Sequence, residues 1–181
     1  MNQQESDIVM KYLLERRCVR TFDSTRLPPQ ELIDEIIKAG LYAPNGRGMQ
    51  ASIVIAVQNK ALRDRLSEMN RVAGGYPEGT DPFYGAPVVL AVLADRKAHT
   101  YINDGSLMLG NMMLAAYARG LGACWIHRAK QEFESPEGQK ILADLGVTGD
   151  YEGIGHCVLG YCTGELPKPA PRREGRVFYA K

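Results

Sequence analysis

Apolar residues recur along this chain with two different periods, and the alternation between them predicts its elements. Ile8, Val9, Tyr12 and Leu13 share one face of a helix that Ser6 would cap and that ends near Arg16. Leu32, Ile33, Ile36 and Ile37 form the stripe of a second helix, opened by Pro28-Pro29-Gln30-Glu31 and closed by Gly40 or Pro44. Residues 52–57 are rich in β-branched side chains and predict a strand, and 60–71 predict an amphipathic helix. The nearly unbroken apolar run 86–94 fits a buried central strand. Residues 103–119 are apolar almost all round, with Met108, Met112 and Met113 as adaptable packing. This helix belongs inside the molecule or at a subunit interface. Gly120-Leu121-Gly122 then turns the chain into a strand through Trp125 and Ile126. Ser135-Pro136-Glu137 opens a short helix to Leu145, and 154–161 are the last strand.

Helices and strands mix without strict βαβ alternation, which predicts a layered α+β domain rather than a doubly wound one. A length of 181 residues suits one domain spanning 1–181, in which 165–181, rich in proline and arginine, read as an extended C-terminal tail. Gly74 to Pro82 reads as a long mobile connection of the kind that often serves as a lid or binding loop. With 22 Lys+Arg against 21 Asp+Glu, the net charge of +1 offers no global field for nucleic acid, so an anion site must be local. No apolar run reaches the length of a membrane span and the polar start is no signal peptide, so a cytoplasmic location is expected. Cys18, Cys124, Cys157 and Cys162 match neither a redox Cys-x-x-Cys pair nor a regular zinc site. They read as reduced thiols, even though His156-Cys157 with Cys162 imitates part of a metal cluster.

Gly120-Leu121-Gly122 is not a dinucleotide fingerprint, because a helix precedes it, a strand follows it, and Trp125 stands where the third glycine belongs. No phosphate loop, Ser-His-Asp order, HExxH pair or close pair of buried carboxylates presents itself. The chemistry therefore points to a bound cofactor. The local concentration of charge is Arg16-Arg17-Cys18-Val19-Arg20. Three guanidinium groups in five residues suit a phosphate or similar anion, and equally suit a solvated helix end where arginines relieve unpaired carbonyls.

Read together, Arg16-Arg17-Cys18-Val19-Arg20-Thr21-Phe22, Ala43-Pro44-Asn45-Gly46-Arg47-Gly48-Met49-Gln50 and Gly120-Leu121-Gly122-Ala123-Cys124-Trp125-Ile126 resemble, in order and separation, the nitroreductase family of FMN-dependent flavoenzymes. The resemblance runs over the whole chain, including the Gly160-Tyr161 strand end and the basic tail. It implies a central, mostly antiparallel mixed sheet flanked by helices, in an intertwined homodimer with two FMN sites at the subunit interface. By the same resemblance Arg16 meets the phosphate, Cys18 lines the cofactor, and Arg20 reaches the ribityl chain or the N1–C2=O edge. Arg17 belongs to the same cluster, and Arg172 or Arg173 adds a second phosphate contact. Pro44, Asn45 and Gly46 approach the ring from the partner subunit, Gln50 and Asn70 supply amide contacts, and Trp125 and Ile126 pack on the isoalloxazine. A backbone N–H near His127 faces N5, and the His127 side chain either binds an acidic substrate or caps the strand end.

The chain departs from the family pattern at several positions. Cys18 stands where serine is common, Gly48 replaces a frequent asparagine, and Ala51-Ser52 replaces a proline–aromatic pair. His127-Arg128 replaces small or acidic residues. The implied activity is ping-pong reduction of nitroaromatics, quinones or flavins by NAD(P)H. A flavin-dependent dehydrogenase or dehalogenase of the same fold, a non-enzymatic FMN-binding or storage protein, and a phosphate-ligand module without flavin are the alternatives.

Overall fold

Val88–Asp95 is the strand around which everything else packs, because its side chains are buried on both faces from Val88 to Ala94. In the computed structural model, which describes residues 2–180, this strand (β2) pairs antiparallel with β1 (Ser52–Val57) on one side and β4 (Tyr151–Gly160) on the other. β3 (Gly122–Ile126) pairs antiparallel with β4, so the order is β1-β2-β4-β3. Every named pairing is antiparallel. The mixed character expected of the sheet is limited to a parallel bridge of Cys18 to Ala123 on the outer edge of β3.

Among the described residues six α-helices flank the sheet: α1 (Gln3–Glu15), α2 (Gln30–Leu41), α3 (Lys60–Ala73), α4 (Tyr101–Ala118), α5 (Ala129–Glu134) and α6 (Pro136–Asp144). Alternation along the strands sends Val89, Ala91, Leu93 and Val158 to one face, where they meet Leu66 of α3, Phe133 of α5 and Ile141 of α6. Val88, Leu90, Val92, Cys157 and Leu159 point the other way, onto Ile33 and Ile36 of α2 and Leu109 and Met112 of α4. α4 thus buries one face on the sheet, through Met108, Leu109, Met112 and Ala116, and leaves Ile102 and Leu107 exposed, so within one chain it is not the interior helix that its all-round apolar sequence predicts.

Several boundaries differ from the sequence reading, each for a local reason. Asn2, not Ser6, caps α1: its side chain accepts from the Glu5 amide at 2.9 Å while Glu5 accepts from the Asn2 amide at 2.7 Å, a reciprocal capping box. The central strand starts at Val88 rather than residue 86 because Pro87 has no N–H to give the ladder. The last strand starts at Tyr151, ahead of Ile154, which is the extra residue of a bulge opposite Val92 and Leu93. The sequence reading misses α5, six residues entered through Arg128 in the left-handed conformation. The glycine-rich connection expected to be mobile is anchored at its end. Asp81 accepts from Arg63 at 2.5 Å, from Ser67 at 2.6 Å, and from the amides of Phe83 at 2.9 Å and Gly85 at 2.6 Å.

Candidate functional site

The C-terminal end of α1 separates the arginines of the cluster by what their guanidinium groups already hold. Arg17 serves the helix end, since its Nη1 donates to the carbonyls of Leu14 at 2.6 Å and Arg16 at 2.7 Å. Arg16 and Arg20 do not. Arg16 is half-buried beside the Cys18 sulfur, with Nη1 4.0 Å from it, and Arg20 is exposed and lies over the Tyr84 ring at 5.9 Å. Among the described residues none of Arg16, Arg17, Arg20, Arg172 or Arg173 makes an ion pair, whereas Arg63, Arg65, Arg71, Arg96 and Arg119 all do.

The tail returns to this cluster. Leu13, Arg16, Arg17, Cys18, Pro169 and Arg172 line a groove of about 610 Å³, so the first and last segments of the chain share one cationic recess. Arg173 is exposed and stays outside the groove lining. Nε of Arg17 is buried with no hydrogen-bond partner. A buried guanidinium N–H left unpaired is costly unless an acceptor arrives. The donor set therefore fits an anionic group such as a phosphate.

β3 carries the second part of the site. Its alternation sends Cys124 and Ile126 into the core and leaves Trp125 and His127 exposed, their rings 5.5 Å apart. Trp125 pairs with Cys157, and its ring can lie against β4 because Gly155, two residues along, has no side chain: a Cβ there would come within 2.5 Å of the indole Nε1. Ile126, expected to pack on a flavin ring, is only 6% exposed and spends its side chain among Leu66 and Phe133. Its side chain is thus a core residue, and only its backbone borders the exposed face.

Asn70 also departs from expectation. It is fully buried, and its Nδ2 donates to the His127 carbonyl at 2.8 Å and to the carboxylate of Glu132, while its Oδ1 accepts from Arg128 Nε at 3.1 Å. Every hydrogen-bonding atom of the amide is in use, so Asn70 positions the His127-Arg128 turn and presents nothing to a ligand. Glu132 in turn meets His156 Nε2 at 3.0 Å, and both side chains are fully buried. The guanidinium of Arg128 stacks over Tyr76 at 4.8 Å. Sequence reasoning missed Glu132, Tyr76 and Tyr84, and read His156 only as part of an imitation metal cluster. No spacing signals them, because each acts through a partner distant in the chain.

The Pro44-Asn45-Gly46 loop and Gln50 occupy a separate place, beside α4. Asn45 and Gln50 line a small cavity of about 70 Å³ with Asp104 and Met108. Asn45 Oδ1 accepts from the Gln50 amide at 2.9 Å, and the buried Asp104 accepts from the Gly46 amide at 3.0 Å. Glycine is required at 46, since a Cβ would come within 2.1 Å of Thr100 Oγ1. Gln50 holds a left-handed φ of 49°, and its side chain is left exposed. A single chain thus gathers Arg16, Arg17, Cys18 and Arg172, and keeps Asn45 and Gln50 in another cavity.

Comparison with known proteins bears on the whole arrangement. A crystal structure described as a nitroreductase with bound FMN, from Bacteroides fragilis, superposes with a TM-score of 0.86 at 27% identity, covering 100% of both chains. A nitroreductase with bound FMN from Desulfitobacterium hafniense gives a TM-score of 0.85 at 24% identity, again over 100% of both chains, and supports the fold. A protein of Methanothermobacter thermautotrophicus, named "Putative NADH dehydrogenase/NAD(P)H nitroreductase", is 28% identical over 121 residues. That stretch is 65% of this chain but only 59% of the relative, so the match leaves much of that protein uncovered. No helix among the described residues is long and apolar enough to cross a membrane. The sequence model of the Nitroreductase family matches residues 13–74 and 76–161, a span that contains the arginine cluster, the Asn45 loop and the Trp125 strand, and the chain belongs to that family.

Proposed function

We propose that this protein is an FMN-dependent oxidoreductase that takes electrons from NAD(P)H and passes them to a nitroaromatic, quinone or flavin acceptor by a ping-pong mechanism. The observation that carries this reading is the recess at the end of α1. It holds arginines without carboxylate partners, one of them with an orphaned buried N–H, and its Cys18 bridges β3, the strand that bears the exposed Trp125. Bound FMN would supply the two-electron chemistry, accepting hydride from the nicotinamide and delivering it to the acceptor.

The residues of this chain bind and orient. Arg16 and Arg172 would hold the phosphate between them, since a dianion calls for more than one guanidinium. Arg20 would place positive charge at the ribityl chain or the N1–C2=O edge, where negative charge collects on reduction. Trp125 would offer a flat apolar surface, and the His127-Arg128 turn, fixed from behind by Asn70, would supply a backbone N–H for N5. The Asn45 loop and Gln50 lie away from the arginine groove, which supports their serving the site of a second copy. A homodimer with two interfacial sites is therefore part of the proposal.

Exposed apolar side chains support the dimer as well. No residue of α1 is buried, yet Ile8, Val9, Met10, Leu13 and Leu14 are all exposed on it, and the tail exposes Val177, Phe178 and Tyr179. The test is spectroscopic. Purified protein should carry or take up FMN with its visible absorbance, and anaerobic NADH or NADPH should bleach it. A colourless protein that gains no flavin spectrum when mixed with FMN would overturn the reading, and a bound flavin that neither nicotinamide bleaches would leave a storage protein.

A further inference from the structure

The turn that ends β3 carries a cation with no counter-ion. Arg128 is half-buried and its guanidinium is fixed on two sides: Nε donates to Asn70 Oδ1 at 3.1 Å, and the group lies over the Tyr76 ring at 4.8 Å. Gly74 makes room for both, since a Cβ there would come within 2.7 Å of the Tyr76 ring and 3.1 Å of Arg128 Nε. The backbone at Arg128 is left-handed, with a φ of 80°. A residue other than glycine keeps that strained conformation only where its surroundings impose it. Among the described residues neither Nη group has a hydrogen-bond or carboxylate partner, and neither is sealed from solvent. Glu132, the acid that shares Asn70, is turned inward to the buried His156. A guanidinium held in place with its fork unengaged suits a carboxylate, which takes two parallel N–H bonds.

The same turn presents a flat surface. Trp125 is 44% exposed, His127 is exposed beside it, and the two rings lie 5.5 Å apart with 35° between their planes. The His127 side chain makes no hydrogen bond among the described residues, so it does not cap the strand end, and its ring extends the surface of the indole. One buried amide, Asn70, holds both the His127 carbonyl and the Arg128 Nε. The strand end that bears the rings and the guanidinium that follows it are therefore fixed by a single side chain.

We propose that Arg128 selects electron acceptors that carry a carboxylate on an aromatic ring, its fork taking the carboxylate oxygens while the ring lies along Trp125 and His127. The proposal rests on the FMN reading in one respect: that reading sets the His127-Arg128 turn beside N5, so that a molecule held by the turn is the acceptor. With a nitrobenzoate, the nitro group gains two electrons and two protons and loses water to become nitroso, while one NAD(P)H and one proton are consumed and NAD(P)+ is released. A phosphate would use the same fork, and NADPH brings one on its adenosine, so the experiment separates the two sources.

The acceptors to compare are 4-nitrobenzoate and its methyl ester, which has the same ring and nitro group without the charge. On the full-length protein with FMN, kcat/KM for each is measured with NADH and with NADPH in wild type, Arg128→Gly and Arg128→Lys. Glycine suits the left-handed φ, so Arg128→Gly removes the guanidinium without straining the turn. Wild type should favour the carboxylate over the ester, more so at low salt. Arg128→Gly should lower that ratio by about tenfold or more, and Arg128→Lys, which keeps the charge without the fork, by less. A general loss of flavin or of fold cancels in the ratio, because it acts on both acceptors alike. An equal ratio in all three proteins, or a loss confined to NADPH against NADH, would overturn the proposal. Trp125 is the one tryptophan of the chain, so quenching of its fluorescence by the two compounds reads the site without flavin. Saturable quenching at lower concentration by the carboxylate, lost in Arg128→Gly, upholds the anion site even if the protein takes up no FMN and the flavin reading fails. Equal quenching by both compounds in both proteins removes the site and leaves the flavin reading standing.

Discussion

Arg16 and Arg20 differ from Arg17 by what their guanidinium groups already hold, and that difference predicts how substitution will act. Arg17 is engaged with helix-end carbonyls, so replacing it should loosen the end of α1. Arg16→Ala with Arg20→Ala removes two cations that have no carboxylate partner among the described residues, so the fold should survive. FMN affinity should fall by roughly a hundredfold, about 2.7 kcal/mol, for the loss of two charge-assisted contacts. Titration of flavin fluorescence checks the affinity and circular dichroism the fold; unchanged affinity would remove the phosphate from this groove. Asp81 makes a second prediction at this scale. Burial alone would raise its carboxyl, but hydrogen bonds from Arg63, Ser67 and the Gly85 amide outweigh it and hold the group below the usual carboxylate range. A carboxyl depressed in the folded state contributes stability that is complete above its unfolded value of about 3.9 and is lost as pH falls through the folded value. Asp81→Asn should therefore cost about 2 kcal/mol at pH 7 in urea unfolding, and the gap to wild type should close under acid conditions. An equal gap at pH 3 and pH 7 would show that the anchor does not depend on charge.

At the level of elements, the buried chain His156–Glu132–Asn70 ties β4, α5 and α3 to the His127-Arg128 turn. Glu132 reaches both neighbours through one oxygen, and its other oxygen and His156 Nδ1 have no partner. Removing one member strands the rest in an apolar interior. Glu132→Ala should cost about 3–5 kcal/mol in thermal or urea unfolding, and Glu132→Gln, which keeps an oxygen for Asn70, distinctly less. Equal losses in the two variants would mean that packing, not polarity, matters here. This network also marks the limit of what the chain reveals unfolded. Elements with a long apolar period, such as α2, α4 and β2, are legible because the period states which face is buried. Six-residue α5 has no period to read. Its place follows from close approach at glycines, since a Cβ at Gly153 would come within 2.3 Å of the Ala129 carbonyl and one at Gly138 within 2.1 Å of that of Glu132. The arginine groove was legible because its charges cluster in five residues. The assignments of Asn70 and Ile126 to the cofactor failed for a common reason. Motif position names a residue, but strand alternation and partners 57 and 62 residues away decide where its side chain points.

On the scale of the whole molecule, the proposed homodimer has to account for two cavities that one chain keeps apart. The sheet core is saturated, with β2 buried on both faces, so the exposed apolar surface is peripheral and includes α1, Ile102 and Leu107 of α4, the Leu41–Tyr42 corner, Met49, and the Val177-Phe178-Tyr179 end of the tail. Leu13 and Leu14 of α1 line the arginine groove, and Leu41 lines the Asn45–Gln50 pocket beside α4. A two-fold assembly covers such a surface with itself and can set the groove of one copy beside the loop of the other. The tail is the natural strap, being extended and bearing exposed aromatic residues beyond the point where Arg172 enters the groove. If so, assembly and cofactor binding are one equilibrium, because a ligand held by both chains stabilises their association. Deleting residues 165–181 should then shift the protein from dimer towards monomer in sedimentation velocity and weaken FMN retention together. Adding FMN to dilute full-length protein should raise the dimer fraction. A truncated chain that sediments as a monomer while binding FMN as tightly as the full chain would separate the two and place the complete site within one subunit.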